Sequence, residues 1–338
     1  MSRLALFCLV MFLALESCAD SRADEFTFHH ENVLGTSAEF HVHCDSLDTA
    51  VKAEGMLLQE IDRLRSIYST YESDSEICRW LAGELDARVS SDLFDLLASC
   101  DRYVKLTEGA FNPRVSVACA IWSNAAKQGI LPTEKLLRQT AASCARPVWT
   151  LDDSTRTACI LPGANRTVTV DAVAKGRVID QSAHAALHVD GVDGVVINIG
   201  GDIRAAGDAA VRVWIRSPQE QTTAIATVEL RKQAIATSGG YERFFEINGQ
   251  RFSHIIDPRT ARSAGHSISV SVIAPTATAA DAVATALKVM TIEDGLLWCA
   301  SHDEYDCLIV DSLGKQYRSA GWPTEKKLDE SILLVSTG

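Results

Sequence analysis

The stretch Val168–Gly207 constrains this chain more than any other. A short β-branched run ends at Asp171. Ala172-Val173-Ala174 then leads to Lys175-Gly176, and a helix-like segment continues to about Val189. An apolar strand, Val195–Ile199, runs into Gly200-Gly201-Asp202. The expected unit is strand, helix, strand, with a glycine-marked point at each end of the helix and strand pair. Glycine lets a backbone come close to a ligand, and a lysine beside it can meet an anion. A phosphorylated ligand is one reading. Two ordinary turns are the other, and a Gly-Gly pair by itself favours the turn.

Around this unit the patterns alternate between elements. Apolar spacing predicts helices over Asp48–Ile67, Ser91–Thr107, Thr133–Thr140 and Ala280–Met290. Ser90 or Ser91 is a natural cap for the second of these. Strands are expected at Leu34–Cys44, near Val148 and Cys159, at Arg212–Arg216, Ala224–Leu230 and Ser267–Ala274, and in a closing hairpin, Asp306–Val310 with Lys315–Ala320, around Gly314. Asn248-Gly249 is a strong hairpin signal. Strands outnumber helices and mostly follow one another, which predicts an α+β fold with antiparallel sheets packed with helices. The sequence lacks G-x-G-x-x-G, which argues against a dinucleotide-binding Rossmann domain.

The chain has 338 residues, 47% of them hydrophobic, enough for a large core. Its formal net charge of −12 argues against a nucleic-acid partner. Ten cysteines occur without any C-x-x-C, so neither a zinc ribbon nor a thioredoxin site is supported. His41 and His43 share a strand face, but no third metal ligand accompanies them. Arg3 precedes an apolar run, Leu4–Leu15, that is too short to span a bilayer and matches a signal-peptide core. Export is therefore expected, with cleavage after Ala23 and a periplasmic destination. Lipid attachment at Cys18 is the alternative, weakened by Glu16 in its lipobox. Residues 24–338 then read as one domain.

Two features carry chemistry on their own spacing. Asp281 and Thr285 lie four apart on one helical face and can place two oxygens on a hard cation such as Mg²⁺. Asp281 is otherwise a first-turn acid favoured by the helix dipole, and the spacing by itself favours that reading. His254 is either a general base or a structural hydrogen-bond donor.

The runs A-V-A-K-G-R-V-I-D, I-N-I-G-G-D-I-R, A-T-S-G-G-Y-E-R, S-H-I-I-D-P-R-T and A-D-A-V-A-T-A-L occur in that order. Together they resemble the ApbE-like family of FAD:protein FMN transferases, from about Leu34 to about Gly321. The resemblance implies a T-fold-like ApbE architecture with an FAD groove between lobes. It implies FAD contacts at Leu34, Tyr71, Ala110, Phe111, Asn112, Thr169, Asp171, Lys175, Thr237, Ser238, Gly239, His254 and Ile255. It implies Mg²⁺ on Asp281, Thr285 and the Ala172 carbonyl, with His254 as the catalytic base. The implied function is Mg²⁺-dependent transfer of FMN from FAD to a threonine or serine hydroxyl of an acceptor protein in an exported or membrane redox complex, releasing AMP.

Four departures from the family pattern bear on this. Asn112 replaces an Asp, Thr169 stands where the family has an acid and Asp171 offers one nearby, Trp80 replaces an Asn, and Ala261 replaces a Gly. They keep two alternatives in view: an FAD pyrophosphatase giving FMN and AMP, and a non-catalytic FAD-binding protein.

Overall fold

The structure is a computed structural model, and it describes residues 24–220, 222–239, 244–323 and 333–337. The leader, the cleavage point and Cys18 lie outside the described residues. So do Gly240–Arg243, the second half of A-T-S-G-G-Y-E-R.

The chain starts with a hairpin, β1 (Asp24–Val33) and β2 (Thr36–Cys44), and then a long helix, α1 (Leu47–Tyr68). Its cap is Ser46, whose side chain accepts from the Thr49 N–H. α2 (Glu76–Ala82) and α3 (Ser91–Leu106) follow, and the Ser90 side chain caps α3 at the Leu93 N–H. Next come α4 (Ser116–Gln128), α5 (Glu134–Cys144) and a small hairpin, β3 (Trp149–Asp152) with β4 (Thr157–Ile160). α6 (Asp171–Leu187) leads into β5 (Val192–Ile199), β6 (Asp202–Gly207), β7 (Ala210–Arg216), β8 (Ala224–Arg231) and β9 (Ala234–Gly239). Two short hairpins follow: β10 (Phe244–Ile247) with β11 (Gln250–Ser253), and β12 (Ile256–Asp257) with β13 (Arg262–Ser263). The chain ends with β14 (Ser269–Ala274), α7 (Ala277–Val289), α8 (Ile292–Ala300), β15 (Asp306–Val310), β16 (Gln316–Arg318) and β17 (Leu333–Ser336).

The main sheet has eight strands in the order β1-β2-β5-β6-β9-β14-β15-β16. Every neighbouring pair in it is antiparallel. Alternation sorts its side chains. Phe40, Val42, Ile197, Ile199, Val270 and Val272 face a core shared with α1, α3, α6 and α7. Val196, Ile203, Ala205 and Ile273 face the other way, onto a sheet ordered β17-β7-β8. β17 and β7 are parallel. The fold is therefore α+β with mainly antiparallel sheets, as the strand-rich pattern predicts.

The expected strand before Asp171 does not form. Residues 164–170 are irregular, because the Thr169 N–H donates to the Pro113 carbonyl (2.8 Å) rather than to a sheet ladder. Lys175-Gly176 is consequently no turn: both residues sit inside α6. Gly176 is a packing glycine, since a Cβ there would lie 2.5 Å from the Ala277 carbonyl oxygen and Thr278 backbone of α7. Gly200 (φ +58°) and Gly201 (φ +86°) form the two-residue hairpin turn between β5 and β6.

Candidate functional site

Three elements bring charged side chains into one place. Lys175 rises from the second turn of α6, and its Nζ lies 2.8 Å from Asp202 Oδ2. Asp202 opens β6 directly after the glycine turn and is 2% exposed. It also accepts from the backbone N–H of Thr237 on β9. Asp281, in the second turn of α7, sets a second buried carboxylate beside Asp202.

The sequence builds this cluster by fixing two helices against each other. Gly176 lets α6 and α7 touch backbone to backbone. One turn further on, Asp180 accepts from the Ala277 N–H (2.9 Å), the Thr278 N–H (2.9 Å) and the Thr278 hydroxyl (2.6 Å). A side chain of α6 thus satisfies orphan donors at the start of α7. Thr276 caps the same helix from its own chain, accepting from the Ala279 N–H at 3.1 Å. α7 is consequently held in rotation and height, and Asp281 with it.

The electrostatics are those of a charge cluster that is one cation short. Burial pushes the Asp281 carboxyl well above the ordinary aspartate value, and the Asp202 charge pushes it further. Burial also raises Asp202, and Lys175 partly offsets this. For Lys175 burial acts against the ammonium, but the charges of Asp202 and Asp281 outweigh it and hold its pKa above the usual lysine value. Asp281 Oδ2 is buried without a hydrogen-bond partner. A hard divalent cation fits that donor set: a dry carboxylate oxygen, with the Thr285 hydroxyl one turn along the same helix face. Among the described residues no group of three His, Cys, Asp or Glu side chains is arranged to hold a metal. Mg²⁺ does not need one, because phosphate, water and carbonyl oxygens complete its shell. Ala172 lies three residues before Lys175, in the first turn of α6.

A second group borders the start of α6. The Tyr71 hydroxyl donates to Asp171 Oδ2 at 2.6 Å, and Tyr71 itself is 83% exposed. Asp171 is exposed as well, so the acid near Thr169 both faces solvent and holds the tyrosine. Thr169 is tied to the Ala110-Phe111-Asn112-Pro113 segment through the Pro113 carbonyl. Ala110 and Phe111 are buried. The Asn112 side chain is fully engaged in structure: Oδ1 accepts from the Arg114 N–H (2.9 Å) and Nδ2 donates to the Cys144 carbonyl (3.2 Å). An amide does both tasks where a carboxylate could only accept. Leu34 occupies the β1–β2 turn at φ +51°, an outlier for a bulky residue and a feature that clusters at ligand sites.

Thr237-Ser238-Gly239 is not a turn; it is the last part of β9. Thr237 Oγ1 lies 2.8 Å from Ser271 Oγ, while Ser238 pairs with Val270 on the helix-covered face. Thr237 and Gly239 also line a polar cleft of about 390 Å³ together with Thr36, Gly200, Gly201 and Arg216. His254 and Ile255 form the short link between β11 and β12, both half-buried. The Ile255 N–H donates to Ser253 Oγ at 3.1 Å, and the Ile255 carbonyl accepts from Ala264 at 2.9 Å.

Two departures become structural features. Trp80 is a core residue whose Nε1 donates to the Ala158 carbonyl at 3.1 Å, tying α2 to β4. Ala261 takes φ +57°, the left-handed region its glycine counterpart would enter freely, and Trp122 Nε1 donates to its carbonyl at 2.8 Å. His41 and His43 do share a face, where Glu25 stands 3.4 Å from His41 Nδ1 and 3.8 Å from His43 Nε2.

The sequence pattern missed Asp202 and Asp180 as site-building residues. Both were visible as acids inside the characteristic runs, Asp202 directly after a glycine pair and Asp180 four residues beyond Gly176.

The sequence profile of the ApbE family matches residues 34–309. An FAD:protein FMN transferase of Vibrio cholerae is 32% identical over 288 residues, 80% of this chain and 85% of that protein. One from Rhodobacter capsulatus is 35% identical over 234 residues, 64% of this chain; the match spans only 44% of that longer relative. Among solved structures, the ApbE protein of Thermotoga maritima superposes with a TM-score of 0.76 at 24% identity, covering 88% of this chain and 97% of the other. The apo flavinyl transferase ApbE of Pseudomonas stutzeri gives 0.72 at 22% identity, covering 88% and 96%. By sequence and by fold, this chain belongs to the ApbE family.

Proposed function

We propose that this chain is an FAD:protein FMN transferase that moves FMN from FAD onto a threonine or serine hydroxyl of an acceptor protein, with AMP as the leaving group. The observation that carries the proposal is the buried Lys175–Asp202–Asp281 cluster, held by α6, β6 and α7 beside the glycine turn. A charge-deficient pocket of this kind suits a pyrophosphate that arrives with a divalent cation.

In the transfer, the acceptor oxygen bonds to the FMN phosphorus while the bond from that phosphorus to the bridging oxygen breaks, and the bridging oxygen leaves with AMP. Such chemistry needs positioning and charge neutralisation more than covalent help. Lys175 supplies a fixed positive charge, and Asp202 holds its ammonium in place. Asp281, Thr285 and the Ala172 carbonyl would hold Mg²⁺, which when bound neutralises phosphate charge. His254 accepts the hydroxyl proton as attack proceeds. Tyr71 packs against the flavin end from the rim, steadied by Asp171. The acceptor belongs to an exported or membrane redox complex, in keeping with the signal-like start of the chain.

The direct test is incubation with FAD, Mg²⁺ and a flavin-accepting subunit of a membrane redox complex, followed by denaturing electrophoresis. Covalent fluorescence on the subunit, matched by AMP, is the expected outcome. FAD consumption that yields free FMN with no labelled protein would assign hydrolysis instead.

A further inference from the structure

α8 and β15 bring two cysteines face to face. Gly295 of α8 packs on Ile309 of β15 so closely that a Cβ added to it would lie 3.1 Å from Ile309 Cδ1. The chain reverses between the two elements, so α8 and β15 run in opposite senses past this contact. Four residues along a helix keep the same face and advance about 6 Å. Two residues along a strand keep the same face and advance about 6.6 Å. Cys299 stands four residues after Gly295, and Cys307 two residues before Ile309. The matched steps set the two side chains opposite each other, and their thiols are within hydrogen-bonding reach. Cys299 is 4% exposed and Cys307 0%. The connecting turn is itself hydrogen-bonded, through the His302 N–H to the Cys299 carbonyl and the Tyr305 N–H to the His302 carbonyl, both at 3.0 Å.

We propose that Cys299 and Cys307 form a disulfide that staples α8 to β15 when the chain folds in an oxidising medium. One Sγ–Sγ bond forms and each thiol gives up its hydrogen. The two electrons and two protons pass to a partner disulfide, which leaves as a pair of thiols. Exchange needs a thiolate, and in the folded chain the hydrogen bond to Cys307, together with burial, holds the Cys299 thiol well above the usual range. The bond therefore forms before α8 docks, and the same burial then shields it from reductants. The closed loop is short, so its stabilisation is modest. Its effect is local: α7 carries Asp281 and runs through Met290-Thr291 straight into α8, so the staple fixes the far end of the site-bearing helix pair.

The test uses the full chain, refolded from denaturant in a reduced and oxidised glutathione buffer. Free thiols are then blocked with N-ethylmaleimide under denaturing conditions without reductant, and the chain is digested for peptide mass mapping. The peptides holding Cys299 and Cys307 are expected as one cross-linked species that separates on reduction with a gain of two hydrogens. Refolding in reductant should also lower the thermal midpoint of the wild type, and this difference should vanish in Cys299→Ala/Cys307→Ala. Maleimide on both cysteines without prior reduction, a link from either one to another cysteine, or a midpoint difference that persists in the double variant would each overturn the staple. Should the double variant not fold, the wild-type peptide map decides alone.

Discussion

Asp281 keeps one carboxylate oxygen dry and unpartnered in the metal-free chain, and it does so beside Asp202. Its folded pKa is raised, so the folded chain binds more protons than the unfolded one above the ordinary aspartate range. Stability is then lost as pH rises toward neutrality, unless a cation arrives. Asp281→Asn leaves Lys175 and Asp202 as a balanced pair, and its amide can donate to Asp202. The metal-free variant is expected to melt a few degrees higher than wild type at pH 7, at about 2–4 °C per kcal/mol relieved. It should also lose the Mg²⁺-induced midpoint shift, and FMN transfer should fall by about 10²-fold or more. Calorimetry with and without Mg²⁺ reads the first two effects; α7 starts at Ala277, which puts Asp281 beyond the first turn where the helix dipole would act, so an unchanged Mg²⁺ shift would leave its carboxylate without a metal role. Lys288 gives a second test away from the site. It is fully buried, donates to the Ser267 carbonyl at 2.6 Å, and burial pulls its pKa down to about 8. The unfolded chain binds the extra proton, so stability should rise as pH climbs from about 8 to about 10.5. Lys288→Met should flatten that rise in a series of chemical denaturation curves. His254→Ala should slow transfer by about 10²–10⁴-fold with FAD affinity little changed. Weakened FAD binding with turnover intact at saturation would make His254 a binding residue. At this scale spacing put Asp281 and Thr285 on one helical face, but it was the family resemblance that singled them out. The sequence hid Asp202, because nothing local tells a buried carboxylate after a glycine turn from a solvated one; only the approach of α6 and α7 gives it neighbours.

α6 determines where the site lies, and it also departs most from the local pattern. Val168-Thr169-Val170 has strand composition, yet the segment has no ladder to join and pairs with the Pro113 loop. The helix starts at Asp171, which carries Lys175 and Gly176 into its body. Gly176→Ala would push a methyl group into the α7 backbone and should cost about 1–3 kcal/mol, read as a lower denaturation midpoint. Gly55, exposed in α1 with nothing near its missing Cβ, is the control: Gly55→Ala should stabilise by about 0.5–1 kcal/mol. Equal effects at the two glycines would contradict the packing account of Gly176. α1 and α3 were legible because one face is apolar and a Ser caps each start. α4 and α8 were not: Ser116–Gln128 and Ile292–Ala300 place apolar residues around most of the helix, so their periodicity is weak. β1 escaped notice because it is an edge strand with one polar face, Glu25, Thr27, His29 and Glu31.

The whole molecule is acidic, with a formal net charge of −12, yet its proposed substrate is an anion. The fold sets one buried lysine and an unpartnered carboxylate at the candidate site, and on the proposed function Mg²⁺ bound there would take part in substrate capture. Raised ionic strength should then affect FAD affinity less than Mg²⁺ removal does, a contrast that fluorescence titration measures. The start of the chain adds an expectation about place. In protein from its native cells, mass spectrometry should find an N-terminus at Asp24 or a lipid on Cys18, and an intact Met1 terminus in the cytoplasm would refute export.

The proposed transfer of FMN onto a protein hydroxyl turns on the Lys175–Asp202–Asp281 cluster. The most direct measurement follows covalent flavin on an acceptor subunit and AMP in solution, side by side, for wild type and Asp281→Asn with FAD and Mg²⁺. Wild type should give equal molar amounts of labelled acceptor and AMP, and both should be lost in the variant. Free FMN as the main product beside a competent acceptor, or full labelling by Asp281→Asn, would contradict this reading.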